Sequence, residues 1–76
     1  MAAKQGDTIV TLREIVDRIA FYAENGKPGT SLVSFNAGER LVAATDELGG
    51  NVFVEAKDAA GDDVLVPLAQ GEWQLA

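Results

Sequence analysis

The stretch NVFVEAKDAAGDDVLVP, residues 51–67, limits what this chain can become more than any other segment. Val52, Val54 and Ala56 alternate with Phe53, Glu55 and Lys57, the period of a strand with one buried face. DAAGD, Asp58 to Asp62, interrupts the pattern, and Gly61 suits the left-handed position of a hairpin loop. Asp63 to Pro67 then returns with Val64, Val66 and next Leu68 on the same side. Pro67 marks a strand end or an edge, because it has no amide to give to a ladder. Phe53 and Leu65 occupy the opposite parity, so the outer side of this hairpin is apolar too. Apolar residues at both parities predict a sheet covered on both faces, by a helix or by closure into a small barrel.

Other segments extend the β pattern. Ser31 to Phe35 and Arg40 to Ala44 read as strands joined by a turn at Asn36–Gly38. TDELGGN is a loop punctuated by Gly49 and Gly50, LAQG is a turn, and Glu72 to Leu75 forms a short last strand carrying Trp73. Residues 11–26 read differently. Thr11 and Glu14 match a capping box. Leu12, Ile15, Val16, Ile19, Tyr22 and Ala23 recur at helical spacing. Arg13 with Asp17 and Glu14 with Arg18 are i,i+4 pairs, and Asn25–Gly26 followed by Pro28 supplies a stop. The spacing predicts a helix over Leu12–Asn25. Phe21 falls on its charged side, either covered by another element or left as an aromatic anchor for a partner.

The expected fold class is therefore α+β. An N-terminal amphipathic helix packs on an antiparallel sheet or small barrel of four or five strands. The 76 residues make one domain, with an arm or lead-in strand over 1–10, the helix over 11–26 and a β-rich part over 30–76. A domain this small buries only about 60% of its unfolded surface. With no Cys it has no disulfide to supplement its core.

The order of elements after Phe35 resembles the Src-homology-3-like small β-barrels. GERLVA is similar to the strand after that family's first long loop, and TDELGGN to its second loop. Residues 51–67 resemble its central hairpin, LAQG its helical turn and EWQL its closing strand. The resemblance implies a barrel architecture. It does not carry peptide binding over, because Val52, Phe53 and Gln70 stand where the family keeps its groove aromatics. VTLREIVDRIAFYAENGKP with LVSFNAGERLVA is also similar to the helix and hairpin of prevent-host-death type antitoxins, which implies an antitoxin-like regulator.

Charge is distributed unevenly. Through Arg40 five basic residues meet five acidic ones; beyond it Lys57 alone faces Asp46, Glu47, Glu55, Asp58, Asp62, Asp63 and Glu72, so the second half carries the net charge of −6. Such a field repels phosphate and argues against direct nucleic-acid binding. It either solubilises the chain or meets a protein with a basic surface.

Catalytic patterns are weak. Ser31 and Ser34 have no His to activate them. GKPGTS lacks the first Gly and the hydroxyl of a phosphate-binding loop. DAAGDD lacks the ligand ladder of a calcium loop. A chain this small has little room for a pocket of ~300 Å³ beside its core. The sequence thus predicts no enzyme, no cofactor and no metal site. The expected role is a small acidic protein-binding module, an accessory or inhibitor protein of the kind phages and mobile elements encode. It would dock on a larger protein or a nucleic-acid-handling complex. A structural subunit of a particle such as a phage virion is the alternative, with homo-oligomers as its mark. Expected partner-binding residues are Phe21, Asp46, Glu47, Phe53, Glu55, Asp58, Asp62 and Asp63. The start MAAKQGDT lacks the apolar core of a signal peptide and no membrane-length run exists, so the expected location is cytoplasmic or within a particle.

Overall fold

The computed structural model describes residues 2–76, and every regular element among them is a strand. These are β1 (Thr8–Thr11), β2 (Ile15–Tyr22), β3 (Pro28–Phe35), β4 (Arg40–Val42), β5 (Val52–Lys57), β6 (Asp63–Leu68) and β7 (Trp73–Leu75). A three-stranded sheet has the order β4-β1-β7, and a four-stranded sheet the order β3-β2-β6-β5. All pairs are antiparallel. The bridge pair Ala43–Val54 links the end of β4 to β5, and the amide of Ala44 donates to the Phe53 carbonyl at 2.8 Å. The buried side chains of both sheets, among them Ile9, Ile15, Phe35, Val54, Val66 and Leu68, form one core. The Cα radius of gyration, 11.3 Å, is close to the ~11.4 Å that size scaling gives for one compact domain.

The α+β expectation is overturned: residues 12–25 form no helix, and Ile15–Tyr22 is instead a strand paired with β3 and β6. The cause is a β-bulge. Ile15 sits opposite Phe35, but Arg18 sits opposite Val33, so three steps on β2 match two on β3. Asp17 takes up the extra residue with a φ of 51°, and its amide donates to the Ser34 hydroxyl at 3.0 Å. One inserted residue reverses the inside–outside phase. Ile15 faces the core before it; Arg18, Ala20 and Tyr22 face inward after it, while Val16, Ile19 and Phe21 face out. The resulting apolar spacing of 15, 16, 19 and 20 looks helical. The β-branched content of residues 8–19 favours strands, and it outweighs the cap signals.

Those signals serve other purposes. The Thr11 hydroxyl is buried, donates to the Asn36 carbonyl at 2.6 Å and accepts the Glu39 amide at 2.9 Å. It fastens β1 to the turn at 36–39. Asn25–Gly26 closes the β2–β3 hairpin: Gly26 adopts a φ of 72°, and its amide donates to the Tyr22 carbonyl at 2.7 Å. Residues 8–11 are the central strand of their sheet rather than an arm. Ala3 is fully buried, held by amide–carboxylate and backbone bonds to Glu47.

The hairpin of β5 and β6 runs in unbroken register from Val52–Leu68 to Lys57–Asp63. Val52, Val54, Val64, Val66 and Leu68 are all buried, while Phe53 and Pro67 lie opposite each other on the outer side. Among the described residues no helix covers that outer side, so the expectation of a sheet covered on both faces fails there.

Candidate functional site

An apolar strip crosses the outer face of the four-stranded sheet from Leu32 on β3 to Phe53 on β5. Directly opposed residues in an antiparallel pair share a face, so the pairing places Leu32 beside Ile19, Phe21 beside Leu65, and Leu65 and Pro67 beside Glu55 and Phe53. Ile19, Leu32 and Val16 are each more than half exposed, and Phe53 is exposed at 36%. Small monomers seldom leave so continuous an apolar strip in water without a use for it. Phe21 and Phe53 meet across it with ring centroids 6.1 Å apart and planes 79° apart, an edge-to-face contact. With Leu65, Gly26 and Thr45 they line a mostly apolar depression of about 360 Å³.

The two aromatics named from sequence are therefore together, but by strand pairing rather than on a helix. The acidic candidates divide. Glu55 is exposed on the same face, directly opposite Leu65. Asp62 and Asp63 lie at one end of the sheet, where they and Glu24 line a shallow depression of about 690 Å³. The depressions named here are open to solvent, so they lie outside the core and do not compete with it for space. Asp63 also pairs with Lys57, an ion pair with both side chains largely in water.

The other three carboxylates each accept backbone amides of this chain. Asp58 is buried, and its Oδ1 accepts the amides of Ala60 at 3.0 Å and Asp62 at 2.9 Å. It shapes the hairpin loop. Asp46 accepts the Gln5 amide at 2.8 Å and Glu47 the Ala3 amide at 3.1 Å, so both anchor the N-terminal segment. Among the described residues no group of three His, Cys, Asp or Glu side chains is gathered as metal ligands. Val52 is buried and Gln70 packs beside Gly50, so no aromatic groove forms at those positions.

Sequence reasoning missed the strongest electrostatic feature. Glu72 is buried just before β7 and receives both guanidinium nitrogens of Arg18 at 2.7 Å, Arg13 at 3.0 Å and the Ala69 amide at 2.7 Å. Arg18 also donates to the Pro67 carbonyl at 3.0 Å. Hydrogen bonding to Arg18, opposed by desolvation and aided by Ala69 and Arg13, lowers the Glu72 pKa to about 2. The arginines expected to pair along a helix instead converge on this one carboxylate. Every polar atom there is satisfied, so the cluster ties the two sheets together rather than waiting for a ligand. Nothing in GEWQL taken alone signals it, because both partners come from more than 50 residues away.

Comparison with protein-family models, with curated proteins and with solved structures finds no match to this chain. Among the described residues no helix is long and apolar enough to cross a membrane.

Proposed function

We propose that this chain is a protein-binding module that docks through the Phe21–Phe53–Leu65 patch on the outer face of the four-stranded sheet. The observation that carries the reading is a partly exposed aromatic pair in edge-to-face contact, with the carboxylate of Glu55 on the same face. An apolar centre with a polar rim is the anatomy of a protein interface. Buried aromatics at such a centre supply most of the binding energy. Glu55 on the face, with Glu24, Asp62 and Asp63 at its end, selects a partner whose own apolar patch is rimmed by Lys and Arg. The excess of acid over base in the second half extends that attraction beyond contact range and speeds encounter. An inhibitor or adaptor of a nucleic-acid-handling protein fits this chemistry, because such proteins present basic grooves. The antitoxin-like alternative loses its support, since the helix on which that likeness rested is a strand.

The test starts by capturing partners from a lysate at low and high salt, then rebuilds the complex from purified components. Phe53→Lys should abolish it. Asp62→Lys with Asp63→Lys should slow association and flatten its salt dependence. A complex that binds Phe53→Lys as tightly as the parent chain refutes the assignment of this face.

A further inference from the structure

A second surface differs from the first in position and in charge. Strand β3 lies at the edge of the four-stranded sheet, so one side of its backbone has no neighbouring strand. An exposed edge invites another strand, and proteins usually guard it with charged side chains. β3 reads PGTSLVSF and carries no charged residue along eight positions. Its outward side chains are Pro28, Thr30, Leu32 and Ser34, and Leu32 continues into the exposed Ile19 and Val16 of β2. Pro28 at the first position is the one device that blunts the edge.

Charge identifies the occupant. Residues 15–35 hold Arg18 and Lys27 against Asp17 and Glu24, so this hairpin is neutral in a chain of net charge −6. The acidic loop at 58–63 belongs to the hairpin that contains the opposite edge strand, β5. A neutral edge offers a basic partner nothing extra, whereas two copies can meet there with their acidic loops held far apart. We infer that β3 pairs with β3 of a second copy, antiparallel about a two-fold axis normal to the sheet. The two four-stranded sheets then form one of eight strands.

The geometry of that pairing is constrained. A two-fold axis makes the contact self-complementary. Matching inner and outer faces places Leu32 opposite an outward residue of the other copy. The start of β3, preceded by Lys27, falls beside the end of β3 in the other copy, where Glu39 closes the turn by accepting the Asn36 amide at 3.0 Å. Two symmetry-related Lys27–Glu39 attractions flank the strands. An eight-residue strand gives a seam roughly 26 Å long. The Phe21–Phe53 patch lies further across the sheet, so this surface and the one proposed above stand or fall separately.

Sedimentation equilibrium over a wide concentration range tests the inference. The parent chain should rise from the 8.0 kDa of one copy towards twice that mass. Leu32→Lys, at an exposed site, should weaken association at least about tenfold. Lys27→Glu should weaken it less, and Phe53→Lys should leave it unchanged. Amide exchange on the parent chain needs no variant: protection of residues 28–35 should grow with concentration. A parent chain that stays at 8.0 kDa to about 1 mM, where even weak pairing would show, overturns the inference. So does association that Leu32→Lys does not touch, or concentration-dependent protection confined to other strands.

Discussion

The two hairpins of the four-stranded sheet are built from similar material and read very differently. β5 and β6 keep strict alternation, and six successive residue pairs hold one register. β2 and β3 break register twice within four recorded pairs. The first hairpin is legible because a strand's side-chain period is two as long as nothing is inserted. The second is not, because the bulge at Val16–Asp17 moves every later side chain to the other face. A single inserted residue turned alternation into the i, i+1, i+4, i+5 spacing of a helix. The hairpins also divide the surface chemistry: β5–β6 and its loop are acidic, and β2–β3 is neutral.

Neighbouring substitutions in β2 sharpen that contrast most. Ile15 is buried at 1% exposure and Val16 exposed at 59%. Ile15→Ala should cost about 2–5 kcal/mol in chemical denaturation, whereas Val16→Ala should stay within about 0.5 kcal/mol. A helix with both residues on its core face would give two comparable losses.

The tie between the two sheets comes next. Glu72→Gln should cost about 3 kcal/mol, because the Arg18 guanidinium loses its carboxylate. The same contact sets a pH dependence. The folded pKa of Glu72, about 2, lies below its ordinary 4.5. The contribution, on the order of 3 kcal/mol, is therefore fully present above pH 4.5 and is lost as pH falls through about 2. Urea midpoints of parent and Glu72→Gln should converge below pH 2.

Smaller effects probe the bulge and the surface. Asp17 holds a left-handed φ, so Asp17→Gly should be neutral or stabilise by up to about 1 kcal/mol. In a helix interior the same change would destabilise by about that amount, so the sign of the shift decides. Lys57→Ala removes an ion pair that lies in water, and the thermal midpoint should not move.

What was legible follows from range. The turns at 36–38, 49–50 and 58–62 and the strands after residue 30 depend on local period and glycine placement. Thr11 reads locally as a helix cap because its true partners, Asn36 and Glu39, lie 25 and 28 residues away. Arg18 pairs with Glu14 in a local reading for the same reason, since Glu72 is 54 residues distant. Phe21 did not fit the helix face, and that misfit was the one local sign of the error. Phe21 and Phe53 stand out from sequence as apolar residues off the expected core faces, while Ile19 hides on the core face of the expected helix. Sequence does not show that Asp46, Glu47 and Asp58 also accept backbone amides, because those bonds depend on loop geometry.

Through-space proton contacts of residues 12–25 in solution bear most directly on this reading. A bulged strand predicts cross-strand contacts of Ile19 with Leu32 and of Phe21 with Leu65, with extended chemical shifts on either side of Asp17. Sequential i to i+3 contacts running from Leu12 to Asn25, with those cross-strand contacts missing, would restore the helix, and with β2 would go both the outer apolar face of the docking proposal and the sheet whose edge is β3.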